Sequence, residues 1–439
     1  MDDYKTGKSL SAQSRRDFIK SSVAAPAIVL GVLNVSSAGV YVAGSDVIRV
    51  GVIGCGGRGA GAAVDAMAAD SGVRIVALAD LFESRVREKM QLLKERNPKQ
   101  VLVDNDHCFV GFDAYKHVIE CSDVVLIACA SKFHPFYVHS AVEAGKHVFV
   151  EKPPAIDPAG VKLLSEACEL AKRKGLCVVS GLQSRYHHGY REAIQRVHDG
   201  AIGDIVAIEE NFLRAPYGVV HRQPWMNELQ FQLMNWYHFS WLSGDDVVQS
   251  LIHNLDRATW ALREQAPVRA HGMGGRSAWF EEAAGNVFDH HSVVYEYANG
   301  VRVYAFCRTQ VGCYNEVSSK IFGTKGVCYL TDMRIDGETK WRYEGPPCNP
   351  YLEEHKALFS AIRSGKPIVN DYMVRSTLVS IMGQIACYTG QRISWEQVEK
   401  SNFHYPPKPE ECSFDMEPPV KPGRDGLYPV PIPGVTKLI

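Results

Sequence analysis

The fold is decided by the stretch Asp46-Val-Ile-Arg-Val-Gly-Val-Ile-Gly-Cys-Gly-Gly-Arg-Gly59 and by the alanine-rich run that follows it to Ala69. The first eight residues are rich in β-branched side chains and predict a strand, and the alanine-rich run predicts a helix. Between them, Gly54 permits a tight turn, Gly56 lets the backbone approach a pyrophosphate, and Gly59 allows close packing of helix on strand. The order strand, glycine-rich turn, helix predicts a dinucleotide-binding domain whose helix N-terminus attracts the phosphate charge.

A second predicted strand, residues 73–79, ends at Asp80, which stands 21 residues beyond Gly59. A carboxylate in that position hydrogen-bonds the adenosine ribose and repels a 2′-phosphate. The sequence therefore favours NAD over NADP as the cofactor, although Arg85 is close enough to soften that preference.

Two later runs, residues 122–130 and 146–150, are mainly apolar after their first two residues and predict buried parallel strands. Ligands of such sheets bind beyond the carboxyl ends of the strands, so we expect His134, Glu151 and Lys152 to line the cofactor crevice. Pro153 disfavours a helical conformation at Lys152 and keeps it extended at the mouth of the site. His134 taken alone could equally be a surface residue at the start of a helix.

The rest of the chain has a different order of predicted elements. Strands at 293–297, 301–307 and 317–322 follow one another without helices between them. Such an order predicts an antiparallel sheet. We predict an α/β protein with a Rossmann domain over residues 46–180 and a second α/β domain with an open, mainly antiparallel sheet over residues 181–395. Residues 396–439 hold nine of the 22 prolines and predict an extended tail on a surface, of this chain or a neighbouring subunit, or else a flexible one.

Three segments carry a resemblance to a known family: GVIGCGGRG (51–59), HPFYVHSAVEAGKHVFVEKP (134–153) and GLQSRY with GAIGDI (181–186 and 200–205). Together they resemble the glucose–fructose oxidoreductase/inositol dehydrogenase family, Gfo/Idh/MocA, from about residue 47 to about residue 395. The resemblance implies an NAD-dependent oxidoreductase that acts on CH–OH groups of sugars, and an open sheet that often builds a homodimer or homotetramer. The cofactor-binding residues that we predict are Gly54, Gly56, Gly57, Arg58, Gly59, Asp80, Leu81, Arg85, Ser131, His134, Glu151, Lys152 and Gln183.

The predicted reaction centre lies on a helical segment in which Gln249, His253, Asp256 and Trp260 share one face. Such a histidine is ordinarily a hydrogen-bonded core residue, but the resemblance implies that His253 is the catalytic base. A Lys152 ammonium would favour the alkoxide, and Asp256 would either orient the imidazole or only pack the helix. Many family members have Asp where this chain has Gln249, and a neutral amide cannot relay a proton. The predicted catalytic residues are Lys152, His253, Gln249 and Asp256.

The segment 216–241 mixes aromatic rings with hydrogen-bonding side chains, which is typical of a carbohydrate site. The alternative is a structural loop that packs on the sheet. The substrate-binding residues that we predict are Arg185, Tyr186, Arg222, Trp225, Trp236, Tyr237 and His253.

The N-terminal residues 1–38 predict an export signal. Arg15-Arg16 precedes a moderately apolar segment, no charge occurs between Lys20 and Asp46, and small residues reach Ala38. This pattern resembles a twin-arginine (Tat) signal, with a Sec signal or an uncleaved anchor as alternatives. We expect export of the folded protein to the periplasm, without stable membrane insertion after cleavage. Such a protein would carry a tightly bound cofactor and would keep its cysteines as thiols.

The amino-acid composition excludes several classes of protein. With 48 Lys+Arg against 49 Asp+Glu, the chain has no basic footprint for nucleic acid, and 46% hydrophobic residues exclude a disordered chain. Twelve cysteines without a CxxC pair fit neither a disulfide scaffold nor a zinc module, so we predict no metal. The sequence favours oxidation or reduction of a sugar or glycoside. An NAD-dependent glycosidase that works by transient oxidation, elimination and re-reduction is the alternative, and a non-catalytic sugar- or nucleotide-binding protein is the third.

Overall fold

The computed structural model describes residues 46–439, and the predicted signal, residues 1–38, lies outside the described residues. The N-terminal domain is built on a six-stranded parallel sheet in the order β3-β2-β1-β4-β5-β6. Its strands are β1 Ile48–Ile53, β2 Val73–Asp80, β3 Cys108–Val110, β4 Val124–Ile127, β5 His147–Val150 and β6 Val178–Ser180. Its helices are α1 Gly57–Ala69, α2 Glu83–Arg96, α3 Ala114–Cys121, α4 His134–Glu143 and α5 Pro158–Lys174.

The glycine-rich turn joins β1 to α1 at close quarters. Gly54 has a φ of +99°, which disfavours residues with a side chain. A Cβ on Gly59 would lie 1.8 Å from the Gly54 carbonyl oxygen, so no larger residue fits there. Both glycines are therefore required for α1 to start beside the end of β1.

The second domain contains a nine-stranded sheet in the order β14-β13-β12-β11-β7-β10-β9-β8-β15. β7 and β10 run parallel at its centre, and the other neighbouring strands are antiparallel. The strands are β7 Ile205–Arg214, β8 Arg269–Gly275, β9 His290–Glu296, β10 Arg302–Thr309, β11 Glu316–Gly323, β12 Gly326–Tyr329, β13 Arg334–Gly337, β14 Trp341–Arg342 and β15 Ile393–Ser394. Together with the parallel first sheet, this arrangement confirms the predicted fold class.

Helices cover one face of the large sheet. The remaining helices are α6 His188–His198, α7 Glu228–Met234, α8 Ser240–Ser243, α9 Asp246–Gln249, α10 Ile252–Ala261, α11 Pro350–Ser364, α12 Tyr372–Thr389 and α13 Trp395–Lys400. α10 contacts β7 and β11, and α12 contacts β8 and β9. Along β9, Val293 and Tyr295 are buried while the residues between them are partly exposed, as expected for a sheet with one covered face.

Part of the segment 216–241 packs as structural core. Phe231, Phe239 and Trp241 join one buried apolar cluster with Phe133 and Tyr137 of the first domain. The segment therefore connects the two domains, because its apolar rings complete the core beside α4.

The proline-rich tail lies on its own chain. Lys132 Nζ donates a hydrogen bond of 2.6 Å to the Tyr405 carbonyl oxygen, and Tyr428 is buried in the cluster that contains Phe239. The twelve cysteines all lie within the described residues and are free thiols. Across residues 46–439, no helix combines the length and the apolar character needed to cross a membrane.

Candidate active site

The glycine-rich turn forms an open cradle at the N-terminus of α1. At Gly56 and Gly57 no heavy atom lies within 4 Å of the place where a Cβ would be, so the space beside the backbone is open. Gly56 caps α1 without any side-chain hydrogen bond to the first turn. Open space beside a helix N-terminus fits the pyrophosphate of a dinucleotide.

The cradle continues into a pocket with the predicted cofactor residues Asp80, Leu81 and Arg85 in its wall. The Asp80 carboxylate accepts hydrogen bonds from the backbone N–H groups of Cys55, at 2.8 Å, and Phe82, at 3.1 Å. These bonds hold the carboxylate against the glycine-rich turn, at the carboxyl end of β2. The pocket is otherwise mainly apolar and aromatic, as an adenosine site requires.

Arg58 lies at the other end of the cradle and is surrounded by carboxyl groups. Its Nε donates to Glu151, its guanidinium lies 3.7 Å from Asp65, and it covers the Tyr351 ring at 4.6 Å. Glu354 is fully buried nearby, and both of its carboxyl oxygens are without a hydrogen-bond partner among the described residues. Burial, reinforced by the charge of Glu151, raises the pKa of Glu354 well above its ordinary value, so this carboxyl holds its proton more tightly than an exposed one.

Glu354 is a buried acidic residue that was not among the residues predicted from the sequence. The residue stands at helical spacing with Leu358 and Ile362, which are both buried on α11. An acidic residue on that apolar stripe was the available signal.

Lys152 and Gln249 meet where the two domains join. Lys152 Nζ donates to the Gln249 backbone oxygen at 2.8 Å and lies 6.0 Å from the centre of the Tyr217 ring. The Gln249 side-chain Nε2 donates to Ser131 Oγ at 2.7 Å and to the Ser243 carbonyl oxygen at 2.9 Å. The Gln249 amide therefore binds a loop of the first domain, and its backbone holds the ammonium.

His253 lies near Lys152 with an unused ring nitrogen. Its Nδ1 is buried without a partner in the described part of the chain, and its ring stacks on Phe212 with the ring centres 6.5 Å apart. Burial, together with the charges of Lys152, Arg257 and Arg58, lowers the pKa of His253 well below its ordinary value. The imidazole is therefore neutral and can accept a proton.

The structure corrects the role of Asp256. Its carboxylate pairs with Arg185 at 2.8 Å and accepts a hydrogen bond of 2.8 Å from Ser376 Oγ, and it makes no bond to His253. Of the two roles considered for Asp256, the structure supports packing of the helix and not orientation of the imidazole.

Arg185 is held in the same ion-pair cluster. Its guanidinium also bonds Glu264 at 2.6 Å and lies 4.2 Å from the centre of the Tyr372 ring, and the side chain is only 10% exposed. Because its charge is already compensated, this placement argues against the predicted substrate contact. The two neighbouring predicted residues, Gln183 and Tyr186, also bond protein groups. Gln183 Nε2 donates a hydrogen bond to the Tyr351 hydroxyl, and the Tyr186 hydroxyl donates one to Asn370 Oδ1.

His134 is a buried link between two loops and not a surface residue. Its Nε2 lies 3.0 Å from the Cys129 carbonyl oxygen and its Nδ1 lies 2.9 Å from the Pro153 carbonyl oxygen. Burial lowers the pKa of His134. The ring thus positions the segment that carries Glu151 and Lys152.

The predicted substrate residues of the segment 216–241 separate in space. Arg222 bonds Glu228 and Glu282, each at 2.7 Å, and Trp225 is 60% exposed. Trp236 lines the dinucleotide pocket. Tyr237 stacks on Trp236 at 3.8 Å and on Tyr217 at 4.5 Å.

A polar pocket lies beside Gln249, and its walls include Arg214, Tyr217, Tyr237, His238, Asp246 and Gln249. Four of these residues have a buried polar atom without a partner in residues 46–439: Arg214 Nε, His238 Nε2, Asp246 Oδ2 and Gln249 Oε1. Burial lowers the pKa of His238 to about 4, which keeps it neutral. These unpaired donors and acceptors beside aromatic faces can hydrogen-bond a small polar group or a water molecule.

Sequence analysis did not single out Arg214 or Asp246, since their pocket forms only when the end of β7 meets α9. Within residues 46–439, no group of three or more His, Cys, Asp and Glu side chains could hold a metal ion.

Two family models match the chain. The model described as "Oxidoreductase family, NAD-binding Rossmann fold" matches residues 48–182, and the model described as "GFO/IDH/MocA C-terminal domain" matches residues 190–329. Among relatives, the chain is similar to myo-inositol 2-dehydrogenase of Thermotoga maritima, with 25% identity over 344 residues, 73% of this chain and 90% of that protein.

Solved structures share the fold. Levoglucosan dehydrogenase in complex with NADH and levoglucosan superposes with a TM-score of 0.61 and 17% identity, covering 79% of this chain and 99% of that chain. The aldose-aldose oxidoreductase from Caulobacter crescentus complexed with glycerol gives a TM-score of 0.61 and 18% identity over the same shares. At these identities the structural likeness shows the fold alone.

Proposed function

The chain belongs to the GFO/IDH/MocA oxidoreductase family, and on that premise we propose that it uses NAD to oxidise or reduce a CH–OH carbon of a sugar or glycoside. The observation that carries this proposal is the neutral, unpartnered His253 near the Lys152 ammonium, in the same region as a polar pocket with four unpaired polar atoms. The named activities of the relatives, on inositol and on levoglucosan, support a polyhydroxylated substrate.

The first domain has the groups needed to hold NAD. The backbone at Gly56 and Gly57 would receive the pyrophosphate, and Asp80 stands at the adenosine end of the pocket. When bound, NAD supplies a nicotinamide carbon that accepts or gives a hydride.

The chain's own residues would manage the proton. In the oxidation direction, the His253 imidazole accepts the proton of the substrate hydroxyl, because one of its ring nitrogens has no partner among the described residues. The Lys152 ammonium stabilises the negative charge that develops on the oxygen. Gln249 acts as a positioning residue, since its backbone oxygen holds Lys152 and its amide cannot take the proton.

The cellular setting is part of the proposal. The twin-arginine pattern at Arg15-Arg16 supports export through Tat to the periplasm, with NAD bound before export because no free pool exists outside. Exposed apolar side chains on the large sheet, among them Met273 at 74% exposure and Val206, support a homodimer or homotetramer.

The proposal is tested on the purified full-length protein. Mass spectrometry identifies any nucleotide that co-purifies, and the reduced-nicotinamide absorbance is then followed during a screen of sugars and glycosides with added NAD. We expect a substrate-dependent change in that absorbance. Release of aglycone with no net absorbance change would favour the glycosidase, and absence of turnover with every saccharide would contradict the proposal.

Lys152→Ala adds a test of the residue roles. We expect it to keep its nucleotide and to lose turnover by roughly 10²- to 10³-fold, because the charge that stabilises the alkoxide is gone. Lys99→Ala, an exposed lysine in the same domain, is the matched control. Full activity in Lys152→Ala would overturn the role assigned to Lys152.

A further inference from the structure

We propose that Asp245 is a positioning residue of the reaction, because it holds α9 in the place where the Gln249 backbone oxygen binds the Lys152 ammonium. The proposal rests on the role of Lys152 in the proposed function. Asp245 itself is only 1% exposed, and it acts through the helix that begins at the next residue.

Asp245 has a backbone conformation that is typical of glycine. Its φ is +69° and its ψ is −179°, a region that residues with a Cβ rarely adopt because of steric conflict. Met333, which also has a positive φ, is in the ordinary left-handed helical region, with a φ of +51° and a ψ of +50°. The conformation of Asp245 therefore costs free energy, and it persists because the contacts of the side chain hold it in place.

The Asp245 carboxylate is held by a helix, a strand and the loop before that strand. Its Oδ2 accepts hydrogen bonds from the Tyr388 hydroxyl of α12, at 2.5 Å, and from the Phe288 backbone N–H, at 2.9 Å. The His291 ring of β9 lies 3.3 Å from the same oxygen, and Gln384 Nε2 of α12 lies 3.4 Å from it. Burial opposes the charge, but His291 and these hydrogen bonds keep the pKa of Asp245 below its ordinary value. One carboxylate thus ties three elements to the start of α9.

The start of α9 is fixed by the same residue. Asp245 Oδ1 accepts a hydrogen bond of 2.5 Å from the Asp246 backbone N–H, and the Asp245 carbonyl oxygen accepts one of 2.8 Å from the Gln249 backbone N–H. α9 is a single turn of four residues, and a helix of that length is not stable by itself. Its position therefore depends on tertiary contacts, and those of Asp245 fix its first residue.

The other end of α9 lies at the predicted reaction centre. The Gln249 backbone oxygen accepts a hydrogen bond of 2.8 Å from Lys152 Nζ, and the Gln249 side chain donates to Ser131 Oγ at 2.7 Å. At the first residue of the same turn, the Asp246 carboxylate binds Arg214 Nη2 at 2.7 Å and lines the polar pocket. A displacement of α9 would move the Gln249 oxygen away from Lys152, because a single turn is too short to absorb it.

Loss of the Asp245 carboxylate should change the chemistry and not only the stability. The ammonium stabilises an alkoxide only where the two lie close together, and a displacement of about 1 Å can lower turnover by about 10²-fold. A residue that only stabilises the fold would change unfolding and leave the turnover of the folded molecules as it was. Release from the Gln249 oxygen would also make the Lys152 amine easier to modify chemically.

The experiment compares three variants of the full-length protein. Asp245→Gly removes the carboxylate and suits the backbone conformation, and Tyr388→Phe removes one hydroxyl that donates to the carboxylate. Met333→Gly is the matched control, since it places a glycine at another positive φ outside the predicted reaction centre. Turnover is expressed per folded molecule, with the folded fraction measured by urea unfolding.

We expect kcat to fall by about tenfold to hundredfold in Asp245→Gly and by about threefold in Tyr388→Phe, and to stay unchanged in Met333→Gly. In the Lys152→Ala background, Asp245→Gly should lower kcat by less than about twofold further, because both residues act through one ammonium. An unchanged kcat in Asp245→Gly, or the same fold loss in both backgrounds, would overturn the proposal. If Asp245→Gly fails to fold, Tyr388→Phe is put through the same two comparisons.

A second measurement needs no sugar. The purified protein is treated with acetic anhydride, and the rate of acetylation at Lys152 is followed by peptide mass spectrometry, with the exposed Lys99 as the internal control. We expect Lys152 to react about three- to tenfold faster in Asp245→Gly than in the unchanged protein or in Met333→Gly, because its hydrogen bond is lost. Equal rates in the three proteins would overturn the proposal.

The two measurements separate failure of the role of Asp245 from failure of the proposed function. A fully active Lys152→Ala variant would end the role of Lys152 and that of Asp245 together. An impaired Lys152→Ala variant beside a fully active Asp245→Gly variant would leave the proposed function intact and overturn only the role of Asp245. Faster acetylation of Lys152 in Asp245→Gly, without turnover of any sugar by the unchanged protein, would support the positioning of Lys152 by Asp245 and contradict the proposed function.

Discussion

Two groups of buried charged and polar residues lie on α10 and the adjoining elements. They differ in whether their polar atoms have hydrogen-bond partners. At the predicted reaction centre, His253 Nδ1 and Gln249 Oε1 have no hydrogen-bond partner in the described structure. In the ion-pair cluster, three residues further along α10, Asp256 bonds both Arg185 and Ser376. On α10, His253 keeps an unused ring nitrogen at the predicted reaction centre, whereas the hydrogen-bonding capacity of Asp256 is taken up by residues that hold the fold together.

His253→Ala should give the largest effect of the comparison. We expect kcat to fall by roughly 10²- to 10⁴-fold because the proton acceptor is lost, whereas unfolding should register only the loss of the ring's contacts, among them Phe212. Steady-state kinetics and thermal unfolding measure the two quantities, with His271→Ala, on the exposed part of β8, as the control. A variant that keeps its kcat would place the proton acceptor elsewhere.

The lowered pKa of His253 also predicts how kcat of the unchanged enzyme depends on pH. The pKa of His253 is lowered, so the neutral base form persists as the pH falls below 6.5, the ordinary pKa, and is lost only at the lowered value. We expect kcat to show no decline centred near that ordinary value. Such a decline, absent from His253→Ala, would contradict the neutral imidazole.

Asp256→Ala should affect stability instead of chemistry. Removing Asp256 leaves Arg185 with the partly exposed Glu264 as its remaining ion-pair partner in the described structure, which costs about 3 kcal/mol in the free energy of unfolding, the low end for a broken buried pair. Urea unfolding measures the loss, and Glu396→Ala, which breaks an exposed pair with Lys400, should change little. A stable Asp256→Ala variant whose activity has an altered pH profile would mean that Asp256 takes part in the reaction.

Gln249→Asp tests whether the predicted reaction centre still works with a carboxylate at this position. We expect turnover within about tenfold of the unchanged enzyme and a shifted pH profile, because a new carboxylate would lie near Lys152 and His253. The measurement is kcat/KM against pH with bound nucleotide checked by mass spectrometry. An inert variant that still holds NAD would count against this role.

Glu354→Gln should have the smallest effect. Glu354 is unpartnered like His253 Nδ1 and Gln249 Oε1. Its raised pKa favours the protonated carboxyl, which a glutamine mimics. A carboxyl with a raised pKa binds its proton more tightly when folded, so its stabilisation is complete below the ordinary value of 4.5 and decreases as the pH rises toward the raised value. Relative to the unchanged protein, Glu354→Gln should therefore gain stability with rising pH, measured by urea unfolding at several pH values. The opposite trend would mean that Glu354 is ionised.

Much of the cofactor site could be predicted because its signals are local. Gly54, Gly56 and Gly59 act through backbone geometry within one turn, and Asp80 follows from the length of a single strand–helix–strand unit. The partners of Arg185 and Arg222 could not be predicted, since Asp256 and Glu282 lie 71 and 60 residues away in sequence. A positively charged side chain in a motif does not reveal whether its charge is already compensated.

The two-domain α/β architecture and the cofactor class follow from the amino-acid sequence alone, because periodicity and glycine placement act over short distances. The sequence also placed Lys152 at the end of a buried strand. Tertiary packing determines which polar atoms remain unpaired, since pairing depends on contacts between distant segments. It moved Asp256 and Arg185 into an ion-pair cluster, and it made Trp236 part of the dinucleotide pocket by packing the segment 216–241 against the first domain.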